Sequence, residues 1–186
     1  MKRLKEELQA FKPGNEQEEK DKQVLLDFMD KNEDCFERSN LIAHFTASLW
    51  TVNKERTKAL LVYHNIYHSW SWIGGHADGN TNLKEVALKE LQEETGVKQA
   101  TLVSPDIFSL ETLTVDGHWK KGIYVPSHLH LNVTYLAEAS ETEELVIKPD
   151  ENKNVKWWKQ EIIRDICEEP WMMEHIYQKL IDRSQK

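Results

Sequence analysis

A chain of 186 residues is long enough for one domain with its own core plus peripheral helices. Its 24 Lys and Arg against 32 Asp and Glu leave a formal charge of −8, which argues against a general nucleic-acid or membrane-surface binder, whose footprint is basic. Cys35 and Cys167 stand far apart without metal-ligand spacing and read as buried thiols rather than a disulfide. The start, Met1 to Glu7, lacks the apolar core of a signal peptide, and no apolar run is long enough to span a membrane. A soluble protein of the cytoplasm is expected.

Residues 1–38 read as a helical extension. Leu4, Leu8 and Phe11 form a short amphipathic piece that Pro13-Gly14 ends. Asn15 is placed to cap a second helix, with Val24, Leu25, Leu26, Phe28 and Met29 on its apolar side. Residues 39–186 then read as the main domain. His44 to Asn53 is rich in β-formers, and Lys58 to His64 returns as a second strand after the turn Lys54-Glu55-Arg56. Trp70 to Ile73 is a short strand feeding a glycine-rich loop at Gly74-Gly75.

From Leu83 to Thr95 the residues are good helix formers, and Gly96 is a natural stop. Leu83, Ala87 and Leu91 form one apolar stripe, while Glu90, Glu93 and Glu94 share another face at i, i+3 and i+4. Like charges at that spacing, near a helix C-terminus, destabilise the helix unless something answers them. A hard divalent cation, Mg²⁺ or Mn²⁺, would do so; a solvated acidic face softened by Lys89 is the plainer alternative.

Farther on, Ala100 to Val103 and Phe108 to Val115 read as strands, and Asp116 to Gly122 as a turn carrying Lys120 and Lys121. Leu129 to Ala137 is a strong strand whose alternation puts His128, His130, Asn132 and Thr134 on one face. Asp150 to Asn154 is a polar loop before the strand Val155 to Trp158. The end is helical from Gln160, with Pro170 at a helix start. A mixed sheet with helices on both sides gives an α/β/α layering.

The stretch Gly75 to Val97 resembles the box of the Nudix hydrolases, Gly-x5-Glu-x7-Arg-Glu-U-x-Glu-Glu-x-Gly-U with U a bulky aliphatic residue. Gly75, Glu90, Leu91, Glu93, Glu94, Gly96 and Val97 take matching positions, whereas Thr81 replaces the first glutamate and Lys89 the arginine. The resemblance covers roughly residues 41–160. It implies an α/β fold, the Nudix-type α/β/α sandwich with a mixed sheet, here with N- and C-terminal helical extensions. It also implies a metal-dependent hydrolase that cleaves a diphosphate linkage in a nucleoside diphosphate derivative or similar small phosphorylated substrate.

By that resemblance Glu90, Glu93, Glu94 and the Gly75 carbonyl would hold Mg²⁺ or Mn²⁺. Glu90, Glu94 or Glu151 would serve as the catalytic carboxylates, with Asp150 and Glu111 weaker substitutes for Glu151. His76, Lys89, Lys121, His128 and His130 would bind substrate. Loss of the first box glutamate removes the reason for a planar guanidinium, so Thr81 and Lys89 form a paired change, with Asp78 a substitute partner for Lys89. Two alternatives stand beside the hydrolase: a nucleotide-binding sensor on the same fold, and an isopentenyl diphosphate isomerase, which would need an active-site cysteine. A homodimer is compatible with the sequence but not specified by it.

Overall fold

Leu4 and Leu8, one turn apart, are both buried and anchor the first helix, α1 (Lys2–Ala10). Lys22 Nζ donates to the carbonyls of Gln9 and Phe11, each at 2.7 Å, and so satisfies acceptors that the end of α1 leaves open. Asn15 caps α2 (Glu16–Lys31): its side chain accepts from the Glu18 N–H at 2.9 Å, and the Glu18 carboxylate reaches back to the Gly14 N–H at 2.8 Å. Leu25 and Met29 form the buried side of α2, whereas Val24, expected there, is exposed.

This computed structural model describes residues 1–120 and 122–186. The strands are β1 (Ala43–Val52), β2 (Lys58–His64), β3 (Trp70–Ser71), β4 (Ile73–His76), β5 (Ala100–Leu102), β6 (Ser109–Val115), β7 (His118–Lys120), β8 (Ile123–Val125), β9 (His128–Ala139) and β10 (Asn152–Lys159), with α3 (Leu83–Thr95) between β4 and β5. They form a mixed sheet in the order β10-β2-β1-β9-β5, with β3 beside β2, β4 beside β1 and β6 beside β9. Every residue of β1 is buried, so this strand shows no alternation that would mark one wet face.

Three local expectations are corrected. Gly74 and Gly75 are not loop residues: both lie in β4, and the turn follows, with Asp78 and Gly79 in the left-handed region at φ 46° and 82°. Asp116 to Gly122 is not a plain turn, because β7 and β8 pair as a hairpin through His118 and Val125. The last strand begins at Asn152, inside the stretch read as a polar loop.

By internal packing the chain divides into two compact units, one of residues 1–47, 75–86 and 106–134, the other of residues 48–74, 87–105 and 135–186. In the first, β6 pairs with β9 from Ser109↔Thr134 to Val115↔His128. Glu111, read from sequence as a substitute base, is fully buried here. Ser109 donates to it, as do Asn132 Nδ2 at 2.9 Å and Thr134 Oγ1 at 2.8 Å. Enclosed in this network, it belongs to the core.

In the second unit, β10 pairs with β2 from Asn152↔His64 to Lys159↔Lys58. Trp50 stacks on Tyr177 with centroids 5.8 Å apart, both side chains fully buried. After β10 come a 3-10 turn (Gln160–Ile162), α4 (Ile163–Ile166), α5 (Pro170–Met172), a π-helical turn (Met173–Tyr177) and α6 (Gln178–Ser184). No helix among the described residues is long and apolar enough to cross a membrane. Cys35 and Cys167 are free thiols.

Candidate active site

The apolar stripe of α3 is buried as its spacing predicts, with Leu83, Ala87 and Leu91 at most 1% exposed. At the end of the helix, Gly96 adopts φ 78°. A Cβ there would lie 3.0 Å from the Val146 side chain, so glycine meets both a backbone and a packing demand. The Val146 N–H donates to the Thr95 carbonyl at 2.8 Å, and Asn152 Nδ2 donates to the Glu94 carbonyl at 3.0 Å. Both bonds satisfy carbonyls that the helix end leaves open, and both fix the 140–152 segment to it.

The fold thereby brings Glu90, Glu94 and Glu151 together, each with an oxygen within 4.8 Å of the others'. Glu94 is 3% exposed. Burial, followed by the charges of Glu90 and Glu151, pushes its carboxyl up to about 9, against a backbone hydrogen bond at Gly74. Burial also raises Glu90 above the ordinary carboxylate range, against the pull of Lys148.

Glu93, on the same helix, is not part of this group. It faces Lys89 at 3.3 Å and Lys148 at 3.3 Å. Slight burial would raise its carboxyl, but hydrogen bonds from the two lysines hold it below the ordinary range. Lys148 also reaches Glu151 at 3.0 Å. Burial works against its charge, yet Glu151, Glu90 and Glu93 keep it above the ordinary lysine range.

The other expected residues fall elsewhere. Lys89 is largely exposed and paired with Glu93. Asp78, considered as its substitute partner, is instead gripped at both carboxylate oxygens by Arg38. Gly75 lies in β4. Lys121 is outside the described residues. His76, His128 and His130 do come together, joined by His44, with one ring nitrogen of each within 4.8 Å of the others.

His44, His76 and His130 are held toward the neutral form. Burial, reinforced by Arg38 and His44, lowers His76 to about 3, and burial, reinforced by His76 and His44, lowers His130 to about 2. Burial lowers His44 as well, against a backbone hydrogen bond at Asn40.

Two residues of these groups escape the sequence reading. His44 sits in a strand buried on both faces, where a histidine carries no distinguishing period, though its membership of the strand was legible. Lys148 meets Glu93 across 55 positions of sequence, and nothing local marks it.

The donor set at Glu90, Glu94 and Glu151 suits a hard divalent cation, since it offers only carboxylate oxygens. Burial first, and then the charges of Glu90 and Glu151, raise the Glu94 carboxyl against the opposing pull of Lys148.

Residues 43–182 match the NUDIX domain, extending past the stretch recognised from the box into the C-terminal helices. Among solved structures, a NUDIX-family hydrolase from Clostridium perfringens is 22% identical, covering 75% of this chain and 96% of its own, with TM-score 0.54. A C. elegans Ap4A hydrolase, in a binary complex, is 23% identical over 73% of this chain and 93% of its own, with TM-score 0.53. A MutT protein from Methanosarcina mazei Go1 is 17% identical over 78% and 96%, with TM-score 0.57. These structures share the fold. No curated protein matches the chain. With the domain match covering most of its length, and Glu90, Glu93, Glu94 and Gly96 of the box at the end of α3, the chain belongs to the NUDIX family of hydrolases.

Proposed function

We propose that the protein is a divalent-metal-dependent hydrolase cleaving a diphosphate linkage in a small nucleotide-like substrate. The observation that carries this reading is the convergence of Glu90, Glu94 and Glu151. Glu90, Glu94 and Glu151 would hold Mg²⁺ or Mn²⁺, which supplies neutralisation of the diphosphate oxygens and a lowered pKa of bound water. Glu93 pairs with Lys148, which also reaches Glu151. Glu151, at 38% side-chain exposure, accepts the proton of the attacking water. The water oxygen bonds to phosphorus, the bond to the bridging oxygen breaks, and two phosphate products leave.

Ap4A hydrolase activity in one structural neighbour makes dinucleoside polyphosphates part of the first substrate panel. Release of phosphorylated products from nucleoside diphosphate derivatives and dinucleoside polyphosphates, with Mg²⁺ or Mn²⁺ added, tests the proposal. Turnover that needs the cation is expected; inertness across the panel despite measurable ligand binding favours the sensor reading, to which Thr81 and Lys89 point. An isomerase is disfavoured because Cys35 is fully buried, with burial pushing its thiol up to about 11.

A further inference from the structure

The four histidines of the first unit differ in chemistry from the acidic group. Three strands supply them: β1 gives His44, β4 gives His76, and β9 gives His128 and His130. Their rings lie close, with centroids 4.9 Å apart for His44 and His128 and 4.8 Å for His76 and His130. No carboxylate belongs to the group.

Backbone carbonyls set two of the tautomers. His44 Nδ1 lies 3.1 Å from the Asn40 carbonyl oxygen, and His128 Nδ1 lies 2.8 Å from that of Pro126. A carbonyl only accepts, so both Nδ1 atoms carry hydrogen, and in the neutral ring each Nε2 presents a lone pair. His128 Nε2 is 3.2 Å from His130 Nε2, while His44 Nε2 is buried with no hydrogen-bond partner. A buried acceptor without a partner calls for an explanation. Fixing one ring nitrogen on a backbone carbonyl is the usual outer support of a metal-bound histidine.

We propose that His44, His76, His128 and His130 form a closed four-nitrogen site for a transition-metal dication, Zn²⁺ foremost. Tetrahedral bonding at ~2.0–2.1 Å puts ligand nitrogens roughly 3.3 Å apart, and the His128–His130 separation of 3.2 Å already matches. The other pairs lie within 4.8 Å, so binding would draw them together toward that edge. Neutral imidazole favours zinc, copper and nickel over magnesium or calcium, which prefer oxygen. The spent Nδ1 donor also argues against the substrate-binding role expected for His128. An anionic phosphate needs donors, and His44 and His128 have spent theirs on backbone carbonyls. With four protein ligands and no open position, the ion is structural: it pins the end of β4 to β1 and β9 just before the turn at Asp78-Gly79.

The metal-stripped full-length chain, titrated with Zn²⁺ in excess Mg²⁺, tests this. One Zn²⁺ per chain is expected, unchanged in Glu94→Gln. In His44→Gln or His130→Asn, affinity should fall by more than the roughly 10–100-fold that loss of an outer-sphere partner costs. X-ray absorption of the zinc-loaded wild type should show four imidazole nitrogens, and Co²⁺ in its place should give tetrahedral visible bands; both readings hold even if a variant misfolds. An oxygen-rich or six-coordinate shell, or Zn²⁺ binding lost in Glu94→Gln but kept in His44→Gln, would overturn the proposal.

Discussion

Asn152 donates its side-chain amide to the carbonyl of Glu94 at 3.0 Å, and so ties the residue after Glu151 to the helix end that carries Glu94. Asn152 is fully buried, and its Oδ1 also accepts from the Lys148 N–H at 3.3 Å. One amide thus closes the helix and sets the turn from which Glu151 projects.

Asn152→Ala should therefore lower stability by about 1–3 kcal/mol, the usual cost of leaving buried groups unpaired. It should also lower kcat by more than the loss of folded protein explains, because Glu151 is no longer held beside Glu94. Denaturant melts and steady-state kinetics on the same preparation check both effects. Wild-type kcat in a destabilised protein would show that the amide is structural only.

Lys148 competes with any cation for Glu151, one of the three carboxylates. Replacing it with Met should tighten Mg²⁺ binding on the order of tenfold, a fraction of the ~4 kcal/mol that unit charges at 4 Å exchange near a protein surface. Calorimetric Mg²⁺ titration of Lys148→Met against wild type reads this directly. Unchanged or weaker binding would mean that the lysine supports the ion's ligands rather than rivals the ion.

The raised carboxyl of Glu94 makes metal-free stability depend on pH. Its proton is favoured by the folded state, at about 9, over the unfolded chain at 4.5. The stabilisation is therefore complete below the unfolded value and is lost as pH rises through the window between the two. The slope in that window approaches ~1.4 kcal/mol per pH unit for one group. In chelator, the wild type should melt lower at about pH 8.5 than at about pH 6, and Glu94→Gln should flatten that difference. Mg²⁺ should restore stability at the higher pH, since it holds the ionised carboxylate.

Much of this arrangement was legible before folding. The period of Leu83, Ala87 and Leu91 marks α3, Asn15 marks the start of α2, and the spacing of Glu90, Glu93 and Glu94 marks the box. Alternation in β9 correctly put His128 and His130 on one face. Divergence among the three glutamates was not legible: Glu94 turns to Glu90 and Glu151, while Glu93 turns to two lysines, one of them 55 positions away. Spacing on a helix assigns a face, but only tertiary packing divides that face into buried and open parts. Gly74 and Gly75 misled for a related reason, since glycine's permissiveness marks loops equally well as strands that pack closely. His44 stayed hidden because a strand buried on both sides carries no period to break.

The central claim is that Glu90, Glu94 and Glu151 hold the cation that hydrolysis requires. Its most direct test is product release by wild type and Glu94→Gln at saturating Mg²⁺ or Mn²⁺, on the best substrate of the panel, with ligand binding measured in both. The variant should lose on the order of 10²-fold or more in kcat, since the ion supplies several kcal/mol of charge stabilisation, while substrate binding persists. Equal turnover in the two proteins, or equal inertness while both bind ligand, would contradict the account.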